Sequence, residues 1–247
     1  MKSLQSELSQ LPSLHPALVP AATPQAFKAQ AKAHPLWHHP FVERCRTGTL
    51  SLAEVRVLAA QMYKFCHAFP RFLATALASC DDDAARQVIG ENLWDELGEG
   101  RPEDAHPALF RRFTRALGYT DEQLHDVPAL PQTQALIDTY LGMSQRFGLA
   151  GILGALCYAS EGIVAALYTH IQHGLRQALT LDDDALMFFT VHIHIDDGHA
   201  DQLEAVLHPM LKVPFHALAI EQALQEAMDA RCRFFDGVMA AAQQATA

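Results

Sequence analysis

Twenty-two consecutive residues, Phe147 to Tyr168, carry one charge between them, that of Glu161. A run this apolar can satisfy its surroundings in two places, across a bilayer or at the centre of a helical bundle. Length alone permits a membrane span. Four glycines (Gly148, Gly151, Gly154, Gly162), flanks without a basic bias, and amphipathic segments on either side favour the bundle. Other helices must then surround the segment. A carboxylate inside it is costly unless it is paired, protonated or metal-bound. The window supplies no Lys or Arg, and Arg146 lies fifteen residues before Glu161. Glu161 is therefore a candidate for a metal or catalytic role.

Proline, glycine and capping residues divide the rest into helical blocks. Thr23-Pro24 reads as an N-cap and first helical position, opening a helix to about His34. His34-Pro35 breaks it, and a short segment from Leu36 to Arg46 ends at Gly48. Ser51-Leu52-Ala53-Glu54 is a capping box for a helix toward Phe69, which Pro70 should kink or interrupt before the pattern resumes to Ser79. Asp81-Asp82-Asp83 opens a helix to about Leu97. Further helices are expected over Asp104 to Leu117, after Thr120, and over Gln132 to His173 with a break near Gly148. The last two cover Asp182 to His208 and Phe215 to Ala242. No segment alternates with period two, so the class is all-α and single-domain.

The chain has 247 residues, enough for a sizeable core. Its net charge of -10, with only 18 Lys and Arg, sets aside a nucleic-acid partner. Five cysteines (Cys45, Cys66, Cys80, Cys157, Cys232) form no CxxC pair. They read as buried thiols of a reduced, cytoplasmic protein. Met1 to Pro24 lacks the apolar core of a signal peptide, and residues 1–22 are expected to be a mobile tail.

Two further clusters carry chemistry. On a helix, His192, Asp196 and His199 fall within roughly 60° of each other, so two imidazoles and a carboxylate leave one face over two turns. Glu96, near a helix end in Asp95-Glu96, opposes the helix dipole, and His106 follows on the next helix. The two can converge if the glycine loop between them folds back. Glu99 and Glu103 are alternatives to Glu96. With Glu161, three carboxylates and three imidazoles come from at least three helical segments. That mixture suits iron or manganese better than structural zinc. Six ligands exceed what one catalytic metal takes while keeping open positions, so two irons fit better. Tyr63, His67 and Tyr158 are candidates for the surrounding pocket.

In order and spacing, Asp95-Glu96, His106, Glu161 and His192…Asp196…His199 resemble the haem-oxygenase-like di-iron oxidases and oxygenases. Ala68-Phe69-Pro70, Asn92-Leu93 and Tyr158-Ala159-Ser160-Glu161-Gly162 add to the likeness, which covers roughly Leu36 to Phe235. The resemblance implies a haem-oxygenase-like bundle of about seven helices over residues 23–247. It also implies two Fe(II) per chain held by Glu96, His106, Glu161, His192, Asp196 and His199, with dioxygen as cosubstrate. Glu96, Glu161 and Asp196 would be the catalytic carboxylates. The expected substrate is a small amino-acid- or fatty-acid-like molecule, with an external electron donor and a homodimeric assembly. Where p-aminobenzoate-forming members use a sacrificed tyrosine and a lysine, this chain has Val42 and Ile171, which argues against self-sacrificing chemistry. The rival within the fold is a metal-independent, thiaminase-like aminopyrimidine hydrolase, with Cys157 as nucleophile.

Overall fold

The computed structural model describes residues 23–194 and 197–245. The Thr23 side chain accepts from the Ala26 amide and Pro24 occupies the first turn, opening α1 (Pro24–Ala33). A 3-10 turn at Pro35–His38 leads to α2 (Pro40–Thr47), which Gly48 closes in the left-handed conformation. His34 and His39 act alike. Each accepts an amide hydrogen at Nδ1, from Leu36 and Phe41, and each places Nε2 3.1 Å from an aspartate of the last helix, Asp229 and Asp236.

The Ser51–Glu54 capping box opens α3 (Leu52–Ala78). Pro70 lies inside α3, which continues through it, so the expected interruption does not occur. The helix is held there by a buried face that includes Phe65, Cys66, Phe69, Phe72 and Leu73. Next come α4 (Asp83–Glu96, capped by Asp82), α5 (His106–Ala116) and the short α6 (Asp121–Asp126). The apolar window lies in α7 (Pro131–Leu156) and α8 (Gly162–Ala178), joined by a π-helical segment, Cys157–Glu161. Gly148 has φ 65° and ψ −169°, a backbone state that bends α7 and that a side chain would strain. The stretch is long and apolar enough to cross a membrane, but most of it is buried inside the protein.

The remaining helices are α9 (Met187–His194), α10 (Asp197–Leu207) and α11 (Pro214–Gln244). The helix expected from Asp182 starts only at Met187, after a turn whose Asp182 side chain accepts from the Ala185 amide. Among the described residues there are eleven α-helical segments and no strand, against the seven helices expected. Caps, prolines and glycines subdivide the chain more finely than hydrophobic periodicity suggests. α7 packs chiefly on α11 and then on α3. Phe72 stacks on Tyr140 at 5.0 Å, and Phe41 on Phe235 at 4.9 Å.

Candidate metal centre

Gly98 has φ 87°, and a Cβ there would collide with the Arg101 carbonyl. The conformation open to glycine lets the Gly98–Ala105 loop double back, so the end of α4 meets the start of α5. Glu96 Oε2 and His106 Nδ1 then lie 2.9 Å apart, both side chains about 95% buried. The third group arrives on α9. His192 is buried, its ring centroid 4.5 Å from that of His106. One oxygen or nitrogen from each of Glu96, His106 and His192 lies within 4.8 Å of the others.

Electrostatics match the crowding. Burial pushes His192 down to about 3, assisted by the neighbouring His106 charge, so this imidazole is neutral at physiological pH. Its Nδ1 is 2.7 Å from the Phe188 carbonyl and donates to it. That leaves Nε2 with the lone pair, as metal-binding histidines require. Burial acts to raise Glu96, but His106, by its charge and its hydrogen bond, leads the effects that outweigh it and hold the carboxyl below its ordinary value.

Glu161 faces the same cavity from the π segment. A π turn widens the helix by one residue and re-aims its side chains, which is why such turns gather at functional sites. Tyr140 steadies this one from α7. Its hydroxyl lies 2.7 Å from Ser160 Oγ and donates to the Ala159 carbonyl at 3.2 Å. The cavity has about 360 Å³ of empty space with its mouth included. Glu96, His106, Glu161 and His192 form its polar side. Phe65, Phe69, Val164 and Phe188 form an apolar side, with Tyr168 and Arg231 completing the wall.

His199, on α10, stands at the edge of this group, with Nε2 3.5 Å from Asp95 Oδ2. The same oxygen lies 3.8 Å from His106 Nε2. Asp196 lies outside the described residues. Glu99 and Glu103 are exposed, whereas Glu96 is 3% exposed, so geometry separates the three acids. Tyr63, His67 and Tyr158 are not part of the cavity wall. Tyr63 packs on His67 and Phe110, and Tyr158 on Phe27.

Two residues were not singled out from the sequence. Asp95 was seen only as half of the Asp95-Glu96 pair, yet it approaches two imidazoles. Arg231 lies seventy residues after Glu161, too far along the chain for local sequence to relate the two. Its signal was a lone arginine on the apolar stripe of α11, between Ala227 and Phe235. Cys157, the nucleophile of the rival reading, is buried. Burial and then Glu204 raise its thiol well above the ordinary value, and its sulfur donates to the Ala200 carbonyl at 3.4 Å. A thiol so placed is not a ready nucleophile.

Comparisons with known proteins bear on the fold and the family. The structure of a domain of unknown function with a haem-oxygenase-like fold from Shewanella denitrificans superposes with a TM-score of 0.74. It covers 90% of this chain and 93% of that one at 18% identity, a likeness of fold. A 4-aminobenzoate synthase of Chlamydia pneumoniae is 30% identical over 79% of this chain and 85% of its own. A 4-chloro-allylglycine synthase of Streptantibioticus cattleyicolor is 27% identical over 85% and 80% respectively. Residues 56–232 match a family model described as an iron-containing redox enzyme. That span runs from α3 to α11 and contains every carboxylate and imidazole of the centre; the chain belongs to this family of iron-containing redox enzymes.

Proposed function

We propose that the protein is a non-haem di-iron enzyme that uses dioxygen to oxidise a small organic substrate, amino-acid- or fatty-acid-like, in a biosynthetic pathway. The observation that carries the reading is the convergence of Glu96, His106 and His192 in a buried cavity, with Glu161 facing it. Carboxylate oxygen with neutral imidazole nitrogen is the donor set that suits iron, and the hydrogen bond from His192 Nδ1 to Phe188 leaves the correct nitrogen for it. Glu96, His106, Glu161, His192, Asp196 and His199 would hold two Fe(II). Iron bound there supplies the electrons that open dioxygen to reaction with an organic molecule.

The chain's own part is to prepare the place. Buried carboxylates offset the metal charge, and Asp95, between His106 and His199, orients both rings. Phe65, Phe69 and Phe188 keep bulk water from the reacting end of the substrate. An external donor provides electrons that the substrate does not.

The test is anaerobic titration of the metal-stripped protein with ferrous iron, read by Mössbauer spectroscopy and metal analysis. Two irons per chain are expected, falling to one or none in Glu161→Ala and His192→Ala. Absence of iron uptake by the wild-type protein, or uptake indifferent to both substitutions, would falsify the reading.

A further inference from the structure

Arg231 is 5% exposed. A guanidinium keeps its charge under all physiological conditions, so burial here removes a permanent cation from water. Its contacts are few. Nη2 donates to the Ala159 carbonyl at 3.4 Å, Cζ lies 5.0 Å from the centre of the Phe65 ring, and Nε has no hydrogen-bond partner. Among the described residues no carboxylate comes within ion-pair distance of it. The exposed arginines Arg86 and Arg176 each have such a partner, at 3.1 and 2.8 Å. Among the described residues this buried cation, which most needs a counter-charge, thus has none.

Position gives this a direction. Arg231 lines the cavity that holds Glu96, Glu161, His106 and His192. It also lines a second cavity, walled by Met62, Leu167, Ile171 and Phe234. It therefore stands where the polar pole ends and the apolar space begins. We propose that Arg231 is the anchor for the carboxylate of the substrate: the site takes a small organic acid, holds its carboxylate on the guanidinium, and turns a remote carbon toward Glu96 and Glu161. This rests on the reading that a small molecule is oxidised in this cavity. A guanidinium presents paired N–H groups in the plane and spacing of a carboxylate's two oxygens, and such a pair is strong in a desolvated site. Phe65 and Phe69, together with the second cavity, accept an apolar or aromatic body.

The structural rival is that Arg231 only straps the π segment through the Ala159 carbonyl. The experiment separates the two. Benzoate and hexanoate, with benzamide and hexanamide as neutral matches, are titrated calorimetrically into the full-length, anaerobic, iron-loaded protein. The variants are Arg231→Met and Arg231→Lys, with iron content measured in each. The acids should bind the wild type at least tenfold more tightly than their amides. Arg231→Met should lose that preference while keeping its iron, and Arg231→Lys should retain part of it. A wild-type protein that does not prefer acid to amide, or an iron-loaded Arg231→Met that binds acids as the wild type does, overturns the proposal. The same acid–amide comparison on the metal-free wild type removes the iron as a rival ligand for the carboxylate; a preference that vanishes with the iron overturns the proposal even if a variant fails to fold. Were the wild type to take up no iron, the di-iron reading would fail, and the same comparison on the metal-free chain would still test Arg231.

Discussion

Lowering the pH of the metal-stripped protein should destabilise it through His192, by an amount the structure sets. The imidazole titrates at about 3 in the fold because burial penalises its charged form and His106 stands beside it. In the unfolded chain it titrates at about 6.5. Between these values the unfolded state binds a proton that the native state does not, so stability rises with pH across the window and falls on acidification. Each unit inside the window is worth ~1.4 kcal/mol. From pH 7 to pH 5 the loss is then about 2 kcal/mol from this one residue. Glu96, also held low, adds a loss of the same sign at more acid pH. The assay is urea denaturation at pH 7, 6 and 5 in wild type and in His192→Asn, which has no proton to gain. The wild type should lose about 2 kcal/mol more than the variant over that range. Parallel slopes would show that His192 is not held neutral by its surroundings, and the electrostatic account of the centre would fail with it.

Three other outcomes follow from the same contacts. Tyr140→Phe removes a buried hydroxyl that bonds the π segment and should cost roughly 1–3 kcal/mol in chemical denaturation; paired with Ser160→Ala the loss should be less than additive, and strict additivity would show that the two hydroxyls do not act together. Gly148→Ala places a side chain at φ 65° and should destabilise by ~1–2 kcal/mol, read as a lower Tm; an unchanged Tm would mean that α7 can straighten at no cost. Cys157→Ala should leave iron stoichiometry as it is, and neither it nor the wild type should hydrolyse an aminopyrimidine; hydrolysis by the wild type that Cys157→Ala abolishes would favour the thiol chemistry set aside above.

Much of the architecture was legible locally. Thr23, Ser51, Asp82 and Thr120 cap helices, and Gly48, Gly98 and Gly118 take the left-handed state after them, because caps and tight turns are set by a few adjacent residues. The charge-poor window correctly announced a core helix, since one carboxylate in 22 residues leaves the chain little choice but to enclose it. Glu96, His106 and His192 could be named for the same reason: their residue types and order carry a chemical meaning before any folding is known.

What the sequence could not contain was relation at a distance. The fold ranks Glu96 above Glu99 and Glu103, because the turn at Gly98 buries the first and leaves the other two in water. It delays the helix expected from Asp182 until Met187, and it converts Cys157–Glu161 into a π turn that Tyr140 braces from another helix. It also brings Arg231 of α11 to the same cavity as residues of α4 and α5, more than a hundred positions earlier in the chain. Burial and pairing belong to three-dimensional neighbours. An arginine's want of a counter-charge therefore becomes visible only once the helices that could have supplied one are in place.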